Sequence, residues 1–261
     1  MSLLRLVAVF LRVAALNELQ YRTNFYIAAV RSAMRLIVGL GGLALVFSHT
    51  TSLGGWRAAD LLALLGVYYM IDGLIYLMIA PSMNRLMEDV RQGTLDFTLT
   101  KPEDAQVLVS VRQVEIWKVT DVGLGAAVLG VALGQIGEEV GAAEALAFGA
   151  ALLAGAAIVY AFWLMLATLS FWLVRVDNLM VIFQSLYQAG KWPVGIYPGW
   201  LRAALTFVVP VAFATTVPAE ALAGRGSPAT LAGAGAMAVA LLVVSRRFWR
   251  FGLRHYSGAS A

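Results

Sequence analysis

Cysteine is absent from the 261 residues, which excludes disulfides, thiolate nucleophiles and thiolate metal sites. Charge is nearly as scarce. Asp, Glu, Lys and Arg make up 13% of the chain against 61% hydrophobic residues, and mean hydropathy is +0.79. So little polar surface cannot cover a water-soluble globule, so the expected solvent is a bilayer. Only two histidines occur, His49 and His255, and they fall at opposite membrane faces once the spans are assigned, too far apart to share a metal. A G-x-x-x-x-G-K-[ST] loop is missing, since Gly190-Lys191 is followed by Trp192; no phosphate cradle of that kind is built here. With no Ser-His-Asp or Glu-x-x-His arrangement inside the spans, hydrolysis lacks a nucleophile and a base, and no enzymatic activity is expected of this chain. The first 29 residues carry Arg5, Arg12, Glu18 and Arg22 where a cleavable signal would be uninterrupted and apolar, so the start is expected to be retained. Internal repeats of the kind that mark many secondary transporters are not seen.

What the chain has instead is long apolar runs. Six approach the roughly 20 residues that a bilayer crossing requires: 32–49, 59–80 closed by Pro81, 118–136, 143–174, 179–197 and 229–244. Residues 1–30 read as an interfacial helix with one basic face, because spanning would bury several charges. The segment 199–218 is apolar enough to cross, yet Pro210 interrupts it and Pro218 closes it; with Trp200 at its start, it is read as a re-entrant hairpin dipping into the outer leaflet. In this arrangement all but four of the 19 Lys and Arg residues lie inside, the exceptions being Arg57, Lys191, Arg202 and Arg225. The positive-inside bias therefore places both termini in the cytoplasm of a multi-pass protein of the cell membrane. The net charge of +4 is explained by orientation, and no nucleic-acid partner is expected. Glycines crowd the third span (Gly123, Gly125, Gly130, Gly134), and Gly130 with Gly134 has the small-xxx-small spacing; packing within the chain is favoured over a dimer seam.

Asp72 lies near the middle of the second span among Tyr68, Tyr69 and Tyr76, where a carboxyl costs several kcal/mol unless paired, protonated or hydrated. Two readings stand: a polar lining of a substrate path or switch contact, or a carboxyl satisfied by a tyrosine hydroxyl or by Arg35 from the neighbouring span. Gln184 in the fifth span and Asp121 near the inner end of the third are weaker instances.

The longest polar interval, 81–117, separates the second and third spans. A helix starting near Ser82 or Asn84 would carry Glu88, Asp89 and Arg91 on its wet face and stop at Gly93, where glycine tolerates the left-handed conformation of a helix end. Thr94 and Pro102 then bracket a short extended piece, and a second helix presents Leu108, Val111 and Val114 to the membrane side. The run Arg91-Gln92-Gly93-Thr94-Leu95-Asp96, followed by Leu99 and Pro102, resembles the Gly-Thr-Leu-acidic-x-x-Leu-x-x-Pro pattern of type-two ATP-binding-cassette (ABC) transporter permeases. The run from Glu18 to Phe25, and the prolines in Val209-Pro210 and Val217-Pro218, look like the exporter subgroup of small six-span permeases.

The resemblance implies an all-α integral membrane protein: six transmembrane helices, the N-terminal interfacial helix, a cytoplasmic coupling helix between spans two and three, and a re-entrant helical hairpin between spans five and six. It implies a permease subunit that pairs with a second permease, the same or a related chain, and binds two copies of a separate ABC ATPase, which holds the ATP and Mg; this chain carries no cofactor. The coupling role would fall on Asn84, Arg85, Glu88, Asp89, Arg91, Gly93, Thr94, Leu95 and Asp96, and the outer re-entrant role on the segment holding Trp200, Pro210 and Pro218. Phe97 follows the acidic position and would bear on partner fit. Tyr68, Tyr69, Asp72, Tyr76 and Gln184 would line a path for a hydrophobic, amphipathic or lipid-linked substrate moved outward. The rival readings are a secondary transporter, disfavoured by the missing repeats and scarce intramembrane charge, and a non-transporting membrane scaffold.

Overall fold

A computed structural model describes residues 22–137, 140–173 and 176–256. The described residues form α1 (Arg22–Phe47), α2 (Ala58–Leu74), a π-helical turn (Ile75–Ile79), α3 (Ala80–Gln92), α4 (Asp96–Leu99), α5 (Ala105–Val111), α6 (Val119–Ile136), α7 (Ala142–Thr168), α8 (Asp177–Tyr187), α9 (Gly199–Ala203), α10 (Val211–Ala214), α11 (Thr216–Leu222) and α12 (Pro228–Leu253). No strand occurs among them beyond one isolated bridge, Leu53 with Trp56. Five rods are long and apolar enough to cross a membrane: Phe25–Phe47, Ala58–Gln92, Ile116–Ile136, Ala142–Phe171 and Pro228–Leu253. A bent pair, Gly199–Val208 with Val211–Leu222 at 70°, makes six if it counts as one span.

The rods match the apolar runs read from the sequence, with informative exceptions. Pro81 does not close the second span. The helix runs through it from Ala58 to Gln92, 35 residues or about 52 Å at 1.5 Å per residue. Proline has no N–H and its ring crowds the carbonyl four residues back, so Leu77 loses its helical donor. The Glu115 amide replaces it, donating to the Leu77 carbonyl at 2.8 Å, and the π turn just before Pro81 gives the backbone room. One turn on, the Ser82 hydroxyl donates to the Gln113 carbonyl at 2.9 Å and accepts from the Gln113 amide at 3.2 Å. The polar interval is thus stitched to the side of the long helix at its proline.

Residues 1–21 of the expected interfacial helix lie outside the described residues, but 22–30 are not a separate element. Phe25, Tyr26, Ile27 and Val30 continue the apolar run, and α1 begins at Arg22. The expected fifth span also differs: α8 is an 11-residue α-helix, and the chain continues as 3-10 turns at Gln188–Lys191 and Val194–Ile196. The loosened backbone is satisfied by side chains, with Thr216 Oγ1 accepting the Val194 amide at 3.2 Å and the Tyr197 hydroxyl donating to the Ala189 carbonyl at 3.0 Å. In the bent pair, Pro210 (φ −73°, ψ 52°) is the centre of a tight turn in which the Val211 amide donates to the Val209 carbonyl at 2.6 Å. Pro218 closes nothing. It sits in the first turn of α11, where a missing N–H costs no hydrogen bond.

Contacts of three arginines fix the ends of the bundle. Arg246 pairs with Asp104, so the basic end of α12 lies on the face that holds the polar interval. At the far end Arg225 donates to the Gly55 carbonyl at 2.8 Å, lies over the Trp56 ring and faces Asp60, while Arg202 donates to the Gly195 carbonyl at 2.8 Å. Between those far-end contacts in the chain, Phe213 and Ala214, just past the bend at Pro210, pack against Gly155, midway along α7.

The tightest helix pairing is between α2 and α6. A Cβ added at Gly125 would come within 2.6 Å of the Met70 amide nitrogen, and one at Gly66 within 2.8 Å of the Leu129 amide nitrogen. Small residues let these backbones approach where lipid supplies no hydrophobic drive. Gly130 and Gly134, which carry the interface spacing in the sequence, face open space with nothing within 4 Å, and only Gly125 of the four serves this packing. Gly125→Ala is expected to cost about 2 kcal/mol through overpacking, read as a lowered Tm of the detergent-purified protein. Gly130→Ala, which meets nothing, should be neutral or slightly stabilising; equal behaviour of the two would show that the close approach does not hold the pair.

Candidate functional site

Two polar clusters stand out, one deep between the rods and one at the polar end. In the deep cluster Arg35, midway along α1, bridges two carboxyls: Nη1 to Asp72 Oδ2 at 3.0 Å and Nη2 to Asp121 Oδ2 at 2.7 Å. Lys118 adds a longer contact to Asp121 at 3.5 Å. Two cations face two anions, so the group is neutral as a set, which is how charges persist away from water. Asp72 is therefore satisfied by Arg35, as one of the two sequence readings had it. Tyr69 serves the same end differently, its hydroxyl donating to the Arg35 backbone carbonyl at 2.6 Å.

Beside this group lies a cavity of about 90 Å³ lined by Arg35, Tyr68, Asp72, Tyr76, Trp163, Gln184, Tyr187, Gln188 and Lys191. It brings together Tyr68, Asp72, Tyr76 and Gln184 of the expected path, whereas Tyr69 sits behind. Lys191 is the residue that the sequence placed wrongly. Read as lying outside, it instead turns into the bundle, with Nζ 5.3 Å from the centre of the Tyr68 ring, carried there by the 3-10 turn Gln188–Lys191 that ends α8. Tyr68 is ten residues from the start of α2, about 15 Å in. Trp163, Tyr187 and Gln188 were also missed. No local pattern marks them, since aromatic residues are common in apolar helices and only the fold turns these toward one space. A groove of about 760 Å³ shares Arg35, Gln188 and Lys191 with the cavity and is otherwise lined by Tyr26, Ile27, Val30, Arg31, Met34 and Val38 of α1.

The second cluster centres on Asp89. The sequence placed it on a wet face, but it is fully buried. Its carboxylate accepts from Arg85 at 3.0 Å, from Thr94 Oγ1 at 3.0 Å and from Arg112, which also donates to Thr98 Oγ1 at 3.2 Å. Its backbone carbonyl accepts the Thr94 amide at 2.9 Å, while Gly93 takes the left-handed conformation (φ 70°, ψ 14°) and its amide reaches Val90. The helix thus ends at Gly93 as read. The chain then enters the short helix α4 and not an extended piece, because Leu95 is drawn into the core and tightens the turn. Glu88 pairs with Arg91. Asn84, Arg85, Arg91 and Gln92 are exposed, Gly93, Thr94 and Asp96 half-buried, and Phe97 stands 74% exposed beside them.

Helix α5, N-capped by Asp104, ties this end to two further rods. Gln106 Nε2 donates to the Tyr160 hydroxyl of α7 at 3.2 Å, Ser110 Oγ meets the same hydroxyl at 2.7 Å, and Arg246 of α12 donates to Gln106 Oε1 at 2.7 Å. Hydrogen bonding from Arg246 holds the Asp104 carboxyl down at about 2. The contact is therefore complete above the ordinary carboxylate range and is lost only as pH falls through that value. The apolar face of α5 is buried through Leu108 and Val111, and Val114, just past its end, is buried with them. Among the described residues no three acidic or histidine side chains gather where a metal could be held.

Removing the Asp89 carboxyl leaves Arg85 and Arg112 facing a buried gap, and Asp89→Ala is expected to cost about 3 kcal/mol. Limited proteolysis would read it as faster cleavage between residues 93 and 104 at unchanged cleavage elsewhere. Cleavage no faster than in the parent chain would show that Asp89 does not hold this segment.

Polar groups thus lie among apolar rods, and a latch at one end is tied to three of them. No curated protein and no solved structure matches the chain. A family model described as ABC-2 family transporter protein matches residues 33–260, nearly the whole chain. The chain belongs to the ABC-2 transporter family, as a membrane-spanning permease.

Proposed function

We propose that this permease works as an exporter subunit: it moves a hydrophobic, amphipathic or lipid-linked substrate outward, driven by ATP hydrolysis on a separate ATPase. It has no nucleotide site of its own. Mg-ATP belongs to the partner, two copies of which act on a pair of permeases. The observation that carries the reading is the single rod from Ala58 to Gln92, which holds Tyr68 and Asp72 at one level and ends in the Asp89 latch. Force applied at Gly93 acts on a helix whose other part lines the cavity, about 31 Å away at 1.5 Å per residue.

The exposed strip of Asn84, Arg91, Gln92 and Phe97 is the docking surface for the ATPase, with Phe97 as its apolar anchor. It faces the cytoplasm together with both termini, and the contact of Arg246 with Asp104 supports placing the C-terminal helix on that side. The segment 199–218 is re-entrant from the outer face. Support comes from the far-end contacts of Arg202 and Arg225, which flank the segment in the chain, and from the packing of Phe213 and Ala214 against Gly155, midway along α7.

The test is co-expression with the ATPase encoded beside the permease. Phe97→Asp should lose at least tenfold in ATPase co-purification. Gly93→Pro, which removes the left-handed helix end, should abolish substrate-stimulated hydrolysis. Full retention of both properties in both variants would overturn the coupling assignment. Because the parent chain has no cysteine, a lone Lys101→Cys should react with impermeant maleimide only after the membrane is opened; labelling of intact cells would reverse the orientation.

A further inference from the structure

We propose that the polar end of α12 holds an anionic phospholipid: Arg247, Arg250 and Arg254 take its phosphate headgroup, and the bare apolar face of the same helix takes its acyl chains. Placing that lipid in the inner leaflet rests on the orientation proposed above; the site itself does not. At 3.6 residues per turn, positions 236, 240, 243, 247, 250 and 254 share one face of the helix. That face points away from the bundle, since Ala238, Ser245, Trp249 and Gly252 are the buried residues of α12. It is exposed and apolar through Ala236, Ala240 and Val243, and then carries the three arginines, all exposed. Chains and headgroup have adjoining places on one rod.

The positive-inside bias requires only that basic residues stand at this end of the helix. It does not require them in register with the lipid-facing stripe. Arg246, on one flank, is committed to Asp104, whereas Arg247, Arg250 and Arg254 make no ion pair among the described residues. A second element frames the other flank. Trp172, just past the 3-10 turn that ends α7, stacks on Phe248 at 5.6 Å and 25° and on Phe251 at 5.6 Å and 27°, and meets the His255 ring at 5.4 Å. Trp172 is 39% exposed and Phe251 50%. Aromatic rings half in protein and half out of it mark the depth where membrane meets water, and these rings lie at the level of the three arginines. An arginine at that depth has lipid phosphate as its nearest anion, which its planar fork meets with two parallel hydrogen bonds. Seven residues, about 10 Å, separate Arg247 from Arg254, enough to cover a headgroup layer roughly 5–8 Å thick. A zwitterionic headgroup would bring its own ammonium against three unpaired guanidinium groups. A soluble acidic partner would have no use for the apolar stripe that leads to them.

The experiment uses the full chain in phosphatidylcholine nanodiscs. Because the parent chain has no cysteine, a lone Val243→Cys carries a bimane fluorophore on the apolar part of the stripe. Val131→Cys, at an exposed position on α6, carries it in a reference protein. Phosphatidylglycerol and phosphatidylcholine, each with a nitroxide on one acyl chain, serve as quenchers. At position 243 the phosphatidylglycerol is expected to reach half-quenching at a mole fraction about tenfold below the phosphatidylcholine, while at position 131 the two should quench alike. Replacing Arg247, Arg250 and Arg254 together by Gln should bring phosphatidylglycerol to the phosphatidylcholine value without moving the latter. Arg250→Gln alone should narrow the preference, which keeps the test open if the triple variant fails to fold. Equal quenching by the two lipids at position 243, the same preference at both labels, or a preference that survives the triple substitution would overturn the proposal. So would loss of ATPase co-purification in the triple variant with no lipid preference in the parent, which would assign the arginines to a protein contact. A spontaneous disulfide between two unlabelled Val243→Cys chains that phosphatidylglycerol does not prevent would make the stripe a contact between copies, and would overturn it too. Both leaflets of a nanodisc hold the quencher, so the result is independent of sidedness, which the labelling of Lys101→Cys reads separately.

Discussion

The hydrogen bond from the Glu115 amide to the Leu77 carbonyl is the joint on which this architecture turns. In a bilayer no water repairs a helix opened by proline, so a carbonyl freed at Leu77 must be met by protein. Meeting it with the length of chain that returns from the polar interval has two results. The second rod stays continuous through Pro81, and the interval cannot drift from its flank. Ser82 repeats the stitch one turn later with Gln113. Arg112, the next residue back, reaches Asp89. Positions 112, 113 and 115 thus bind one side of the same helix, and α5 is held where Tyr160 and Arg246 can take it. A proline that would break a helix in water here recruits the element that braces it.

Charge obeys the same constraint. Four charged side chains within the bundle, two of them in the first turns of the third rod, are tolerable because they cancel and because Arg35 places a donor on each carboxylate. Replacing such a set by apolar residues would often be neutral or stabilising, so its presence in so greasy a chain argues for use beyond stability. Lys191 does not enter that balance. The 3-10 turn that carries it is itself unusual at this depth, and irregular backbone in a membrane is tolerated where it lines a cavity or is buried in protein. Both conditions hold: Gly190 is buried against Val211 and Thr215, and Lys191 lines the cavity. The loosened helix and the unmatched ammonium are one feature.

How much of this was legible in the sequence depends on whether the signal was local. The rods were, because a run of apolar residues long enough to cross needs no partner to be recognised, and so was the end at Gly93, since a left-handed helix stop is written in one residue. The pairing of Asp72 with Arg35 could be named because Asp72 is the one charge away from the ends of its span and Arg35 the one charge of the neighbouring span. Asp89 could not. Between Glu88 and Arg91 it has the look of a solvated position, and only the arrival of Arg112 from 23 residues away makes it a buried hub. Pro81 misled for a related reason: its effect as a helix stop depends on whether a distant amide fills the vacancy. Lys191 misled because counting basic residues by loop assumes an unbroken helix up to the loop. Gly130 and Gly134 carry the spacing of an interface, yet the close approach occurs at Gly125, where Gly66 of the facing helix matches it.

The irregular segments also say where motion would be absorbed. From Ala80 to Gln92 the rod is regular and braced on one side by residues 112 to 115, so it moves with that brace as one piece. Above it the ladder slackens at Ile75–Ile79, directly beneath Asp72, and Ile75 lines the cavity. A π turn has a poorer hydrogen-bond register than the α-helix on either side of it, so it yields first when the two halves are levered apart. Across the cavity the facing wall yields at Gln188–Lys191 for the same reason. Two soft segments therefore oppose each other across the cavity, while the stiff parts lead away from it to the polar end. Under the proposed coupling, stiffness placed there would carry displacement inward, and softness placed at the cavity would turn displacement into a change of its shape.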